Sequence, residues 1–136
     1  MKEDKAFNQE VFFAALADRT RLRLINLIGD AEICVCFLVE VLGTNQPKIS
    51  RHLAYLKKAG IVAARQDHKW MHYRLNKLED EDASRVLADT REWLARDPEM
   101  RRDLKKLTRV CCSPIAKQPV SIQGAPRPIL SPLQSP

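Results

Sequence analysis

The sequence predicts a mainly α-helical domain that carries one small β-hairpin, and three observations lead to this fold class. Apolar residues recur at helical spacing through most of the first 60 residues and again from about residue 79 to residue 110. Between these stretches, residues 62–66 and 70–75 flank a polar turn, and side chains alternate in character along the second segment. The length of 136 residues and the hydrophobic content of 45% suit one domain over residues 1–110, followed by a tail.

Capping and stop signals divide the first part of the domain into short helices. Residues 7–17 are predicted to form the first helix. Asp18 is a plausible N-cap for a second helix that ends near Gly29. A third helix is predicted over residues 37–42, and Gly43 ends it and leads into a fourth helix.

The fourth helix has a strong capping pattern and two distinct faces. Asn45 can accept hydrogen bonds from the free amides of the first turn, where Pro47 is tolerated, and Gly60 suits a left-handed residue after the last turn. The inner face is expected to carry three apolar residues at i, i+4 and i+7, namely Ile49, Leu53 and Leu56. The outer face carries basic and aromatic residues at i, i+3, i+7 and i+10, namely Lys48, Arg51, Tyr55 and Lys58.

The net charge of +6 is concentrated in one block of the chain. Residues 44–75 carry seven basic side chains against a single acidic one, Asp67. Residues 1–43 carry five basic and seven acidic side chains, and residues 76–136 carry eleven and nine. Such a local excess of positive charge is typical of a surface that binds a polyanion.

The order of helix, glycine-containing turn and second helix predicts a helix-turn-helix, whose second helix enters the major groove of DNA. The hairpin over residues 62–66 and 70–75 adds a wing, whose tip can reach a minor groove or phosphates. We therefore predict a winged helix-turn-helix that contacts double-stranded DNA through Asn45, Gln46, Lys48, Ser50, Arg51, His52, Tyr55, Arg65, His68 and Lys69. In the hairpin, Trp70 and Tyr73 are expected to pack, and His72 is expected to be a satisfied structural histidine.

Four cysteines lie in two pairs, Cys34 with Cys36 and Cys111 with Cys112. The N-terminus lacks an export signal and no apolar run approaches the ~18 residues of a membrane span, so a cytoplasmic protein without a membrane partner is expected. In that reducing compartment the cysteines are candidate metal ligands, redox thiols or buried apolar residues. Inside a regular helix the first pair would point about 200° apart, so one ion could bridge both sulfurs only by unwinding that turn.

Helical periodicity resumes near residue 79. One predicted helix carries an apolar stripe of Ala83, Val86, Leu87, Thr90 and Leu94, widened by Trp93. Asp97-Pro98 is predicted to restart a helix that carries Met100, Leu104 and Leu107 to about residue 110. Apolar stripes at both ends of so small a domain favour a homodimer interface made by the first and last helices. Residues 111–136 hold the second cysteine pair and six of the eight prolines, and from Ser113 onward they are predicted to be a disordered or extended tail.

Four segments together resemble the ArsR family of metalloregulatory repressors, and more narrowly its arsenic-responsive members. They are residues 15–24, Cys34-Val35-Cys36, residues 46–53 and residues 69–75. The resemblance implies a homodimeric repressor of an arsenic-resistance operon, which binds two-fold symmetric operator DNA and releases it when arsenite or antimonite binds.

Two positions depart from the pattern of that family. Arg19 stands where the family usually has proline, a detail of the helix start with little functional weight. Val39 stands where arsenic-responsive members often have a third cysteine. The resemblance to relatives with C-terminal cysteines makes Cys111 or Cys112 the candidate for the missing sulfur.

The donor chemistry agrees with trivalent arsenic or antimony as the inducer, because these ions prefer three thiolates. A repressor that responds to cadmium, lead or zinc would share the fold, but these ions favour four ligands and the last long helix has no histidine. A redox-responsive repressor would use the same cysteines to form a disulfide. An enzyme with a catalytic cofactor is not expected, because no nucleophile–base pair or phosphate loop is present and the three histidines all lie within residues 44–75.

Overall fold

The computed structural model describes residues 6–112, 118 and 122–130, apart from the side chains of Cys112 and Leu130. Within these residues the protein is mainly helical with a small antiparallel sheet, as predicted. The elements are α1 Gln9–Leu16, α2 Arg19–Ile28, β1 Ala31–Cys34, α3 Val35–Leu42, α4 Gln46–Lys58, β2 Val62–Asp67, β3 Trp70–Leu75, α5 Glu81–Ala95, α6 Pro98–Cys112 and β4 Ile129–Leu130. No helix in the described part of the chain is both long and apolar enough to span a bilayer.

The predicted helix caps are confirmed. The carboxylate of Asp18 accepts a hydrogen bond from the Arg21 amide at 3.0 Å and starts α2. The side chain of Asn45 accepts one from the Lys48 amide at 2.9 Å and starts α4. Each cap satisfies an amide that has no partner within its own helix, which fixes where the helix begins.

The sheet contains a strand that the sequence did not predict. Its order is β2-β3-β1-β4, and all neighbouring strands are antiparallel. β1 pairs with β3 so that Ile33 faces Tyr73 and Cys34 faces His72. Because β1 continues directly into α3, helix α3 begins at Val35, two residues before its predicted start. β1 thus joins the hairpin of β2 and β3 to the first helix of the helix-turn-helix.

The core lies between the helices and the inner face of the sheet. Its largest fully buried side chains are Phe12, Phe37, Leu24, Ile25, Leu27, Ile28, Ile33, Leu38, Ile49, Leu53, Leu56 and Ile61. This set includes the whole predicted inner face of α4, which confirms that prediction. Helix α2 is also tied to α6 by Arg23, whose Nε and NH2 donate to the two carboxylate oxygens of buried Asp103 at 2.8 and 2.9 Å.

Arg19 has a clear structural role at the start of α2. Its guanidinium donates to Glu99 at 2.8 Å and to Asp97 at 2.9 Å, at the beginning of α6. These contacts hold the pKa of Asp97 below its usual value, first through the hydrogen bond from Arg19. The arginine at this position therefore links two helices, a role that proline could not perform.

Part of the predicted tail contacts the domain. Ile122 is fully buried in the core, and β4 pairs with β1 so that Glu32 faces Ile129. Apolar residues separated by proline carry no periodicity, so no local pattern predicted this docking. The other residues beyond Cys112, except Gln118, lie outside the described part of the chain.

Candidate functional site

Helices α3 and α4 meet through a tight turn. Gly43 adopts a left-handed conformation with φ 66°, and its amide donates to the Val39 carbonyl at 3.0 Å. A side chain is disfavoured in this conformation, which explains the glycine. The turn then passes through Thr44 to the capping residue Asn45, so that the two helices form the predicted helix-turn-helix.

The predicted outer face of α4 is available to solvent. Five of the candidate contact residues here are exposed, namely Asn45, Gln46, Lys48, Arg51 and Tyr55, and Lys58 of the same outer face is exposed as well. Ser50 and His52 are partly buried. The first turns of α4 therefore present polar and cationic groups without an acidic side chain among them, which suits a polyanion.

Arg21 positions this face, and the sequence analysis did not identify it. Its NH2 and Nε donate to the carbonyls of Ala14 and Ala15 at 3.0 and 2.8 Å, which ties α2 to the end of α1. Its NH1 lies 3.2 Å from Nδ1 of His52, and its guanidinium lies 4.2 Å from the centre of the Tyr55 ring. A guanidinium can only donate, so Nδ1 of His52 is the acceptor in this contact.

The wing is formed as predicted, but its basic residues have different roles. His68 and Lys69 form the exposed tip, and the Lys69 ammonium lies 4.9 Å from the centre of the Trp70 ring. Arg65 instead lies against β1, where its Nε and NH2 donate to Oε1 of buried Glu32 at 2.9 and 2.6 Å. This hydrogen bonding is the main reason why the pKa of Glu32 is lowered. Arg65 is thus engaged within the protein, whereas the tip is exposed to solvent, with Nδ1 of His68 2.8 Å from the Asp67 carboxylate.

Cys34 and Cys36 lie at the junction of β1 and α3 with their sulfurs only 3.0 Å apart. Both are reduced. Cys34 is the last residue of β1 and the N-cap of α3, with extended backbone angles of φ −63° and ψ 139°. The expectation of two sulfurs pointing apart within a regular helix is therefore wrong, because only Cys36 lies in the helix. One soft ion could contact both sulfurs without unwinding a turn.

The two thiols differ strongly in acidity. The hydrogen bond from Cys36 lowers the pKa of Cys34 to about 7, with further help from backbone hydrogen bonds that involve Cys36 and Met71. The same contact with Cys34, followed by burial, raises the pKa of Cys36. The first proton is therefore lost from Cys34, and the pair holds one thiolate near neutral pH.

The second cysteine pair lies at the end of α6. Cys111 is buried near the end of α6, where its thiol lies 3.7 Å from the Thr108 carbonyl oxygen. The side chain of Cys112 lies outside the described part of the chain. Among the described residues, no three histidine, cysteine or acidic side chains stand together as a ready metal site. Cys34 and Cys36 are in contact, and the assignment of Cys111 and Cys112 as further ligands stays a prediction.

A buried histidine lies beside the thiol pair. His72 is only 3% exposed and is the cross-strand neighbour of Cys34. Its Nε2 has no hydrogen-bond partner in the described structure, so the expectation of a satisfied structural histidine is wrong for this atom. Glu32, two residues before Cys34, is also buried. The alternation of side chains in β3 predicted which side of the strand His72 lies on. Its position opposite Cys34 depends on β1, a strand that was not predicted.

Comparison with known proteins gives consistent results. Residues 18–64 match the family model described as bacterial regulatory protein, arsR family. The chain is 37% identical over 102 residues to the arsenical resistance operon repressor of Escherichia coli (strain K12), which covers 74% of this chain and 86% of that protein. It is 42% identical over 92 residues to the arsenic resistance transcriptional regulator ArsR1 of Pseudomonas putida KT2440, which covers 64% of this chain and 72% of that protein.

A solved structure shares the fold. Reduced HlyU from Vibrio cholerae N16961 superposes with a TM-score of 0.53 at 25% sequence identity, and the match covers 62% of this chain and 85% of that chain. The residues that match the family model include the helix-turn-helix described above.

Proposed function

The chain belongs to the ArsR family of bacterial regulatory proteins, and from this premise we propose that it represses an arsenic-resistance operon until arsenite or antimonite binds Cys34 and Cys36. The relatives are transcriptional regulators and not enzymes. Two of them are arsenic regulators by name, which favours the same inducer here. The proposed setting is the cytoplasm, where the thiols stay reduced.

A single observation carries the proposal: the two sulfurs lie 3.0 Å apart at the start of the helix-turn-helix. Trivalent arsenic and antimony are thiophilic, and a pair of adjacent thiols, one of them a thiolate near neutral pH, supplies the donors that they prefer. When bound, such an ion would supply strong bonds to sulfur. Cys34 and Cys36 are the residues that would hold it.

Cys34 and Cys36 are placed to transmit a change to both DNA-reading elements. Cys34 lies opposite His72 in β3, a strand of the wing. Cys36 lies in the first turn of α3, which packs against α4. An inducer that favours a different spacing or direction of the two sulfurs therefore favours a different position of α4 and the wing. Release requires only that the DNA-bound conformation binds the inducer less tightly.

We propose that the outer face of α4 enters the major groove and that the wing tip contacts the phosphate backbone. Lys48, Ser50 and Arg51 are at the leading end of α4, and Asn45, Gln46, His52 and Tyr55 flank them. His68 and Lys69 are at the wing tip. Arg65 is better explained as a link between the wing and β1, because its Nε and NH2 donate to Glu32.

The proposal is tested by release of a labelled operator fragment from the reduced protein. Arsenite should release the wild-type protein, whereas C34S and C36S should bind DNA normally but resist release, because serine keeps the shape and removes the soft donor. C111S combined with C112S is the matched control, and it should still respond. Normal release of a C34S/C36S double variant would place the sensor elsewhere and overturn the proposal.

A redox-responsive repressor is the second candidate, because two reduced thiols 3.0 Å apart can form a disulfide after modest movement. This alternative expects release by peroxide, reversal by a dithiol, and no response to arsenite under strictly reducing conditions. The same operator assay distinguishes the two functions.

A further inference from the structure

The space beside the thiol pair contains a nitrogen donor that the proposed arsenite response does not use. His72 is 3% exposed, and its Nε2 has no hydrogen-bond partner among the described residues. A polar atom buried without a hydrogen-bond partner destabilises the folded protein, so this nitrogen needs an explanation. His72 is also the direct neighbour of Cys34 across β1 and β3.

The pairing of the strands puts these groups on one face of the sheet. Directly opposed residues of antiparallel strands have Cβ atoms about 4.5–5.5 Å apart and point to the same side. Cys34 and His72 are such a pair, and Arg65 is paired with His72 on the other side. Glu32 shares this face because it precedes Cys34 by two residues. Cysteine, histidine and acid therefore share one buried face of the sheet.

We propose that His72 is a third ligand residue of the Cys34–Cys36 site and that the three together bind a divalent cation of intermediate softness, such as Cd²⁺. Imidazole nitrogen suits divalent ions of this class, whereas trivalent arsenic is served by thiolates. This inference rests on the proposed function, in that it adds a second class of inducer to the same site. The last long helix has no histidine that could bind such a cation, but β3 supplies one in His72.

Binding requires the side chains to move. The three residues do not stand in ligand geometry in the described structure, which contains no ready cluster of three such groups. Closure around a cation therefore draws His72 and the cysteines together. Because His72 belongs to the wing and Cys36 to α3, this movement changes the arrangement of both DNA-reading elements. Water can complete the coordination, as it does at zinc sites with three protein ligands.

The test is a titration of the full-length reduced protein with CdCl₂ and, separately, with arsenite, in the absence of DNA and with calorimetric detection. H72F should weaken Cd²⁺ binding at least about tenfold, because metal affinity falls by about that factor even when a hydrogen-bond partner of a ligand is removed. Its arsenite affinity should stay within about threefold of wild type, since both thiols are retained. H68F, which changes the exposed histidine at the tip of the same hairpin, is the matched control and should bind both ions normally.

The outcomes separate this inference from the proposed function. Equal Cd²⁺ affinities of wild type and H72F, or no Cd²⁺ binding by wild type, would overturn the role of His72 and leave the arsenite response intact. No arsenite binding by wild type would instead overturn the proposed function.

A second measurement covers the case in which H72F fails to fold. In wild-type protein with ¹⁵N-labelled histidine, Cd²⁺ should shift the Nε2 resonance of His72 and leave that of His68 unchanged. A saturated protein whose His72 resonance has not moved would overturn the inference without any variant.

Discussion

At the scale of single residues, the chemistry of this protein depends on two thiols that share one hydrogen bond. Cys36 is a donor to Cys34, so the thiolate form of Cys34 is stabilised while ionisation of Cys36 is opposed. Burial alone would raise both pKa values, because it penalises the charged form. The neighbouring donor outweighs burial at Cys34, and a thiolate is available where an isolated buried cysteine would be protonated.

This balance predicts different effects for two substitutions of Cys36. In C36A the pKa of Cys34 should rise from about 7 toward the ordinary value of 9.0, since its largest stabilising contact is removed. In C36S a hydroxyl can still donate, so most of the lowering should persist. The measurement is thiolate ultraviolet absorbance against pH, with Cys111 and Cys112 both replaced by serine. Equal midpoints in the two variants would contradict the role of the Cys36 donor.

At the scale of secondary-structure elements, one side of α4 packs in the core and the other side is the proposed DNA-contact surface. Ile49, Leu53 and Leu56 anchor it in the core, and Arg21 links it to α1 and α2. This leaves the direction of its outer side chains fixed by the scaffold. Such preorganisation is what base recognition requires, because misplaced donors cannot make paired hydrogen bonds to a base edge.

R51A should therefore weaken binding to the operator by about 1–3 kcal/mol if Arg51 contacts a base, with much less effect on unrelated DNA. K69A at the wing tip should lower affinity for both DNAs alike and reduce the salt dependence by about one phosphate contact. R85A is the matched control, because Arg85 is exposed on α5 and pairs locally with Asp82. Fluorescence anisotropy at several salt concentrations measures all three. Full operator affinity in R51A would remove this part of α4 from the groove.

At the scale of the whole molecule, the single chain leaves large apolar side chains uncovered. Trp93 on α5 is 73% exposed and Phe13 on α1 is 53% exposed. Trp93 does not belong to the buried side of α5, which carries Ala83, Leu87 and Leu94. A cleft of about 350 Å³ beside Trp93 is lined by Leu16, Leu22 and Leu94 among others. We propose that a second copy covers this surface, so that α5 joins the first and last helices in the dimer interface.

W93E should then convert the dimer to a monomer and reduce operator binding, because an isolated carboxylate is costly to bury in an apolar interface. A88E is the matched control, since it adds the same charge to an exposed position about 140° around the same helix. Sedimentation measures the oligomeric state, and footprinting of wild type should show two half-sites about 34 Å apart. A dimeric W93E protein would contradict the interface.

The sequence alone determined the helix-turn-helix, the wing and the thiol pair as a candidate sensor. The reason is physical: caps, glycine stops and helical spacing are local signals, and each acts within about four residues of its own position. Asp18, Asn45 and Gly43 are therefore where the sequence placed them, and the inner face of α4 is buried as expected.

Only the tertiary structure decided how the sensor is assembled. The short strand β1 changes the geometry of Cys34 and Cys36 and brings His72 opposite Cys34, and it exists because β3 and β4 supply its hydrogen bonds. The burial of Ile122 and the contact of Arg65 with Glu32 likewise depend on residues that are far apart in the sequence. Arg65 and Glu32, for example, are separated by 33 positions. Contacts between distant residues leave no periodic trace in one sequence, so the arrangement of donors around the thiols could be obtained only from the folded chain.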